Sequence, residues 1–145
     1  MFTRIFQAFA APAKQPLPET DARLALGALM VRVAKSDHVY RVEEISQIDR
    51  LLAKLNDLNP VDAAKLRATC EKLEAQAPET AEFAALIRQS VSMDQRIAAL
   101  LALWQVTLAD GVRHQEEIDV VQEVRIALGL SEEISADLQA KAKTS

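Results

Sequence analysis

Leu108-Ala109-Asp110-Gly111-Val112-Arg113-His114-Gln115-Glu116-Glu117-Ile118 joins two apolar-striped stretches through a short acidic turn. Far upstream, Ala34-Lys35-Ser36-Asp37-His38-Val39-Tyr40-Arg41-Val42-Glu43-Glu44-Ile45 does the same. Setting Asp37 on Asp110 brings the two halves into one register. Val39 then falls on Val112, Glu43 on Glu116, Glu44 on Glu117 and Ile45 on Ile118. The register continues downstream through Ile48 on Val121, Leu51 on Val124 and Leu55 on Leu128. Upstream it holds for Leu24 on Ile97, Val31 on Trp104 and Val33 on Val106. Any two amphipathic helices align on their apolar stripes, so the shared acidic pattern carries the comparison. It reads as two copies of a helix–acidic turn–helix unit, each burying its apolar face against the other.

Composition agrees with an all-α fold. Half of the 145 residues are apolar, but only 4% are aromatic and only three are glycine. That mixture favours helices and lacks the β-branched and aromatic residues that sheets prefer. A chain of this length buries roughly two-thirds of its unfolded surface and needs no covalent staples. The expected architecture is a compact bundle of about seven helices built from two pseudo-symmetric repeats, about 19–58 and about 92–130, within a domain spanning 19–145.

Along the rest of the chain, helices are expected over about Glu19–Ser36, Val42–Leu55, Asn59-Pro60 to about Gln76, and Pro78-Glu79-Thr80 to Ser90. Leu26, Leu29, Met30 and Val33 form the apolar face of the first, and Ile45, Ile48, Leu52 and Leu55 that of the second. Gly27 inside the first helix implies close packing there. Asn59 caps and Pro60 takes the first helical position of the third. Ser92-Met93-Asp94-Gln95 has the spacing of a capping box, and Ile97, Leu100, Leu101, Trp104 and Leu108 continue that helix. A sixth helix runs from Gln115 to Leu128 and stops at Gly129. Ser131 opens a short seventh, after which the Lys-rich tail is expected to fray.

Residues 1–18 stand apart. Phe2, Ile5, Phe6 and Phe9 recur at helical spacing, and a stretch with three prolines follows up to Pro18. Folding back onto the domain is the plainer reading of this segment, because only Arg4 supplies charge. Peripheral membrane contact or docking of a protein partner is the alternative.

The chemical signal lies in the turns. Asp37, Glu43 and Glu44 in the first, and Asp110, Glu116 and Glu117 in the second, supply the oxygens that hard divalent cations prefer. The same acids also serve as structure, since carboxylates in the first turn of a helix offset its macrodipole and Asp-Gly turns a chain. Spacing alone favours caps and turns over ligands. Arg41 and His114 hold the expected N-cap positions and are poor caps, so each helix start would lean on Asp37 or Asp110. His38 and His114 could add nitrogen ligands suited to zinc, but read first as solvated turn residues, as they are not equivalent in the repeat. Asp110, Gly111 and Glu117 match part of an EF-hand loop, but Val106 and Leu108 would occupy its first ligand positions, which excludes that motif.

Several classes drop out. The net charge is −4 with no basic stripe, which argues against a nucleic-acid partner. No apolar run reaches the roughly 20 residues of a membrane span, and a cytoplasmic location is expected. Cys70 is the only cysteine, so there is no internal disulfide and no paired-thiolate zinc site. Its neighbours Leu66 and Leu73 mark it as a buried, inert thiol. No catalytic triad pattern or glycine-rich phosphate loop is present, and no enzyme activity is expected.

The residues that carry a family resemblance are now in view. Leu29 through Asp37 with Glu43-Glu44-Ile45, and Leu108 through Val112 with Glu116-Glu117-Ile118, resemble the TerB-like tellurite-resistance family. Its mark is an Asp-Gly turn followed by a Glu-Glu pair, twice in an all-helical fold. The N-terminal domain of DjlA-type co-chaperones is similar in the same way. The resemblance spans about Thr20 to Lys141. It implies a small acidic helical module associated with tellurite resistance or stress response, binding a divalent metal cation through Asp37, Glu43, Glu44, Asp110, Glu116 and Glu117. His38 stands where the family has Gly, so the first turn is expected to be reshaped. The competing function is a metal-independent protein- or membrane-interaction module, using the Phe-rich segment or an apolar groove.

Overall fold

The computed structural model of the chain describes residues 21–76 and 79–144. Among them are seven helices and no strand: α1 (Ala22–Lys35), α2 (Val42–Asn56), α3 (Pro60–Gln76), α4 (Thr80–Ser90), α5 (Met93–Thr107), α6 (Gln115–Leu128) and α7 (Glu132–Lys143). The expected all-α bundle is therefore observed. The Phe2–Phe9 segment with its helical spacing, the proline-rich stretch after it and Pro78 lie outside the described residues.

Local chemistry sets most boundaries. The Asp62 N–H donates to Asn59 Oδ1 at 2.8 Å, and the Ile134 N–H donates to Ser131 Oγ at 3.1 Å. Ser92 and Gln95 exchange backbone-to-side-chain bonds of 3.1 and 3.3 Å, a complete capping box. Gly129 closes α6 at φ +74°, where a side chain would strain the backbone. Two ends differ from expectation. α1 starts at Ala22 rather than Glu19, because Asp21 Oδ1 accepts the Leu24 N–H at 2.9 Å and makes Asp21 the cap. α7 does not fray: Leu138 and Ala142 are buried and hold the helix through Lys143.

α1 is the axis of the bundle and touches α2, α3, α4, α5 and α6. Its residues from Leu24 to Ala34 are buried on nearly every side, including Leu29, Met30, Val31 and Val33, as a helix ringed by others requires. Leu55, expected on the inner stripe of α2, is instead 45% exposed. At the other end of the core, the fully buried Trp104 of α5 donates its indole N–H to Ser135 Oγ of α7 at 3.0 Å.

Gly27 explains how α3 approaches the axis so closely. A Cβ at position 27 would run into the Cys70 side chain of α3. Burial pushes the Cys70 thiol up to about 12, so it is the unreactive core group expected. Gly27→Ala is expected to destabilise the protein by about 2 kcal/mol, because overpacking outweighs the roughly 1 kcal/mol gain in helix propensity. Urea unfolding of Gly27→Ala, Cys70→Ala and the pair tests this. The double variant should recover part of the loss, and a Gly27→Ala protein as stable as the parent would refute the contact.

Candidate functional site

Both acidic turns run between helices that touch α1 or belong to it, and both are shaped by their aspartates. Asp37 Oδ1 accepts the Val39 N–H at 3.1 Å, and Asp110 Oδ1 accepts the Val112 N–H at 3.0 Å. Each is an Asx turn. Neither aspartate caps the following helix, contrary to expectation: Arg41 and His114 stand at the N-cap positions of α2 and α6 without a side-chain cap bond. The first turn is not reshaped by the loss of glycine either. His38 adopts φ +68°, close to the +76° of Gly111, so the left-handed step survives with a side chain on it. His38 itself is exposed, as expected. Tyr40 anchors the first turn by donating its hydroxyl to Glu71 of α3 at 2.8 Å.

Once their second oxygens are followed, the two turns converge. Four of the six acids singled out by sequence meet there: Asp37, Glu44, Asp110 and Glu117. Glu44 and Glu117 are completely buried. Glu43 and Glu116 are exposed and take no part in the cluster. Helical position makes the difference. Glu117, Val121, Val124 and Leu128 share one buried stripe of α6, and Glu44 shares one with Ile48, Leu51 and Leu52 of α2. Their neighbours at 43 and 116 lie a hundred degrees around each helix.

Two residues the spacing did not assign complete the cluster. Arg41 spreads its guanidinium across all four acids: Nη1 lies 2.8 Å from Asp37 Oδ2, 3.4 Å from Glu44 Oε1 and 3.3 Å from Glu117 Oε2, and Nε lies 3.4 Å from Asp110 Oδ2. His114 is not solvated. Its Nε2 is 2.9 Å from Asp110 Oδ2 and its Nδ1 is 3.5 Å from Asp37 Oδ2, with only 15% of the side chain exposed. Glu44 also reaches back to accept the Arg41 backbone N–H at 3.4 Å, half of a capping box.

The electrostatics separate the four acids into two kinds. Burial works against ionising Asp37, but its bonds from Arg41 and the Val39 N–H prevail and hold it below the usual carboxylate range. Asp110 is lowered likewise, with burial overcome by His114 and the Val112 N–H. For Glu44 burial dominates, and its carboxyl is raised despite Arg41. Glu117 is raised furthest, to about 10, by burial and then by its hydrogen-bonding neighbour Glu44. Glu44 Oε2 and Glu117 Oε1 are sealed from solvent and meet no donor unless one of the pair carries a proton. A proton shared between the two carboxyls satisfies both.

Three groups offer cation-ligating atoms that all lie within 4.8 Å of one another: Asp37, His114 and Glu117. This is a mixed oxygen–nitrogen donor set, different from the all-carboxylate set that spacing suggests. The orphaned buried oxygen of Glu117 fits a cation as well as it fits a proton.

Among comparisons with known proteins, residues 23–140 match the family model described as tellurite resistance protein TerB. No curated protein and no solved structure matches the chain. That match covers most of the chain, including both turns and all six residues of the cluster, so the chain belongs to the TerB family.

Proposed function

We propose that this TerB-family module is a non-enzymatic binder of divalent cations, with Asp37, His114 and Glu117 as ligands and Asp110 and Glu44 beside them. One observation carries the reading: ligand-capable atoms of those three residues lie within 4.8 Å of one another, on a cluster whose buried Glu117 Oε1 lacks a donor. The imidazole supports zinc or manganese over calcium or magnesium, which favour all-oxygen shells. Glu43 and Glu116, carried into the ligand set by resemblance, are too exposed to belong to it. Arg41 already neutralises the same carboxylates, so a cation binds in competition with an internal one. A link to tellurite resistance or stress response is proposed through family membership alone.

Calorimetric titration of chelator-treated protein with calcium, magnesium, manganese and zinc tests this. Saturable binding is expected for zinc or manganese, with protons released into the buffer as the Glu44–Glu117 proton leaves. Asp37→Asn and His114→Ala should each weaken it at least about tenfold, whereas Glu43→Gln and Glu116→Gln should leave it within about twofold. Flat titrations with all four metals would end the proposal.

A further inference from the structure

Beside the second turn lies a cleft of about 420 Å³. It is bounded by Gln47 and Arg50 of α2, Gln105 of α5, Gly111 and Arg113 of the turn, and Lys143 at the end of α7. A space of that size suits a small ligand. Every charged residue lining it is a cation, on a chain whose net charge is −4. Three like charges converging on one cleft repel each other, and an anion relieves that repulsion.

The cations are poised for such a ligand. Arg50 donates from Nε and Nη2 to Gln47 Oε1 at 3.0 and 2.7 Å, which fixes the guanidinium without neutralising it. Three of its five N–H donors remain for an outside acceptor. Arg113 and Lys143 form no side-chain hydrogen bond or ion pair among the described residues. Arginine forks match the oxygen geometry of phosphate-like groups, and the Gln47 amide, whose oxygen is taken by Arg50, adds a neutral donor.

We infer that this cleft binds a small oxyanion of the phosphate class, held by Arg50, Arg113 and Lys143. The site shares no side chain with the acidic cluster, so it stands whether or not that cluster binds metal.

The test is a titration of the full chain with inorganic phosphate, pyrophosphate and tellurite, followed by amide chemical shifts at constant ionic strength in the presence of chelator. Saturable shifts centred on residues 47–50, 105–113 and 140–143 are expected for at least one of the three. Arg113→Ala and Arg50→Ala should each weaken binding about tenfold, and Lys143→Gln by a smaller factor. Arg113 and Lys143 hold no side-chain hydrogen bond or ion pair among the described residues, so their variants should melt like the parent. Featureless titrations with all three anions, or binding indifferent to Arg50→Ala and Arg113→Ala together, would overturn the inference. So would binding seen only when the titration is repeated without chelator, because the anion would then be held by a metal.

Discussion

In chelator, the protein should be most stable near about pH 5 and lose on the order of 3 kcal/mol by about pH 9, a loss that Glu117→Gln abolishes. The sign follows from the direction of each shift. Glu117 has its carboxyl raised in the folded state, from 4.5 to about 10, so the folded protein holds a proton that the unfolded chain gives up. Stability from that proton is complete below the unfolded value and is lost as pH rises toward the folded one. One proton sets a limit of roughly 1.4 kcal/mol per pH unit, and Arg41, by favouring the ionised carboxylate, lowers the pH at which that proton leaves and so caps the total loss. Asp37 and Asp110 act in the opposite sense. Their carboxyls are lowered, so their contribution is present above the ordinary value of 3.8 and is lost as pH falls below it. Glutamine at 117 keeps a donor toward Glu44 and has nothing to ionise. Its melting temperature should match the parent's near about pH 5 and exceed it near about pH 9. Coincident profiles across the range would mean that the pair does not share a proton.

Much of this was legible in the sequence because local rules and the global fold agree there. Asn59-Pro60, Ser92 with Gln95, and Gly129 announce helix ends that the structure keeps. The acidic turns were legible too, but their ligand set was not. Adjacent Glu43 and Glu44 are equivalent to a rule about first-turn carboxylates, and only the buried stripe distinguishes them. Following Glu117 to Val121, Val124 and Leu128 would have placed it inside and Glu116 outside. Arg41 and His114 were visible in a different way. Each is a poor residue for its N-cap position, and a residue that fails its local role is often serving a distant one. What it serves depends on how α2 and α6 are brought together, which no local pattern encodes. The likeness between the two turns is observed in their Asx bonds, the left-handed residue after each aspartate and the buried second glutamates. A pseudo-two-fold relation of whole halves rests on the sequence register.

Replacing Arg41 by methionine should have the second large effect, and it should have two faces. Four carboxyls would lose the one guanidinium that touches them all. Removing one partner from a buried ionic cluster leaves the remaining charges uncompensated, and a fall in melting temperature on the order of 10 °C is expected in chelator near neutral pH. Methionine retains the aliphatic stem, so lost packing does not account for the fall. Acid should restore part of it, as the carboxyls take up protons in place of the guanidinium. The other face concerns metal. If Asp37 and Glu117 are cation ligands, Arg41 is their resident competitor, and its removal should raise zinc or manganese affinity about tenfold or more while metal restores the melting temperature. Arg41→Lys should fall between the two, since lysine keeps the charge but cannot span four carboxyls with a planar fork. A methionine variant that melts lower and still ignores every metal would identify Arg41 as the only cation the cluster was built to hold.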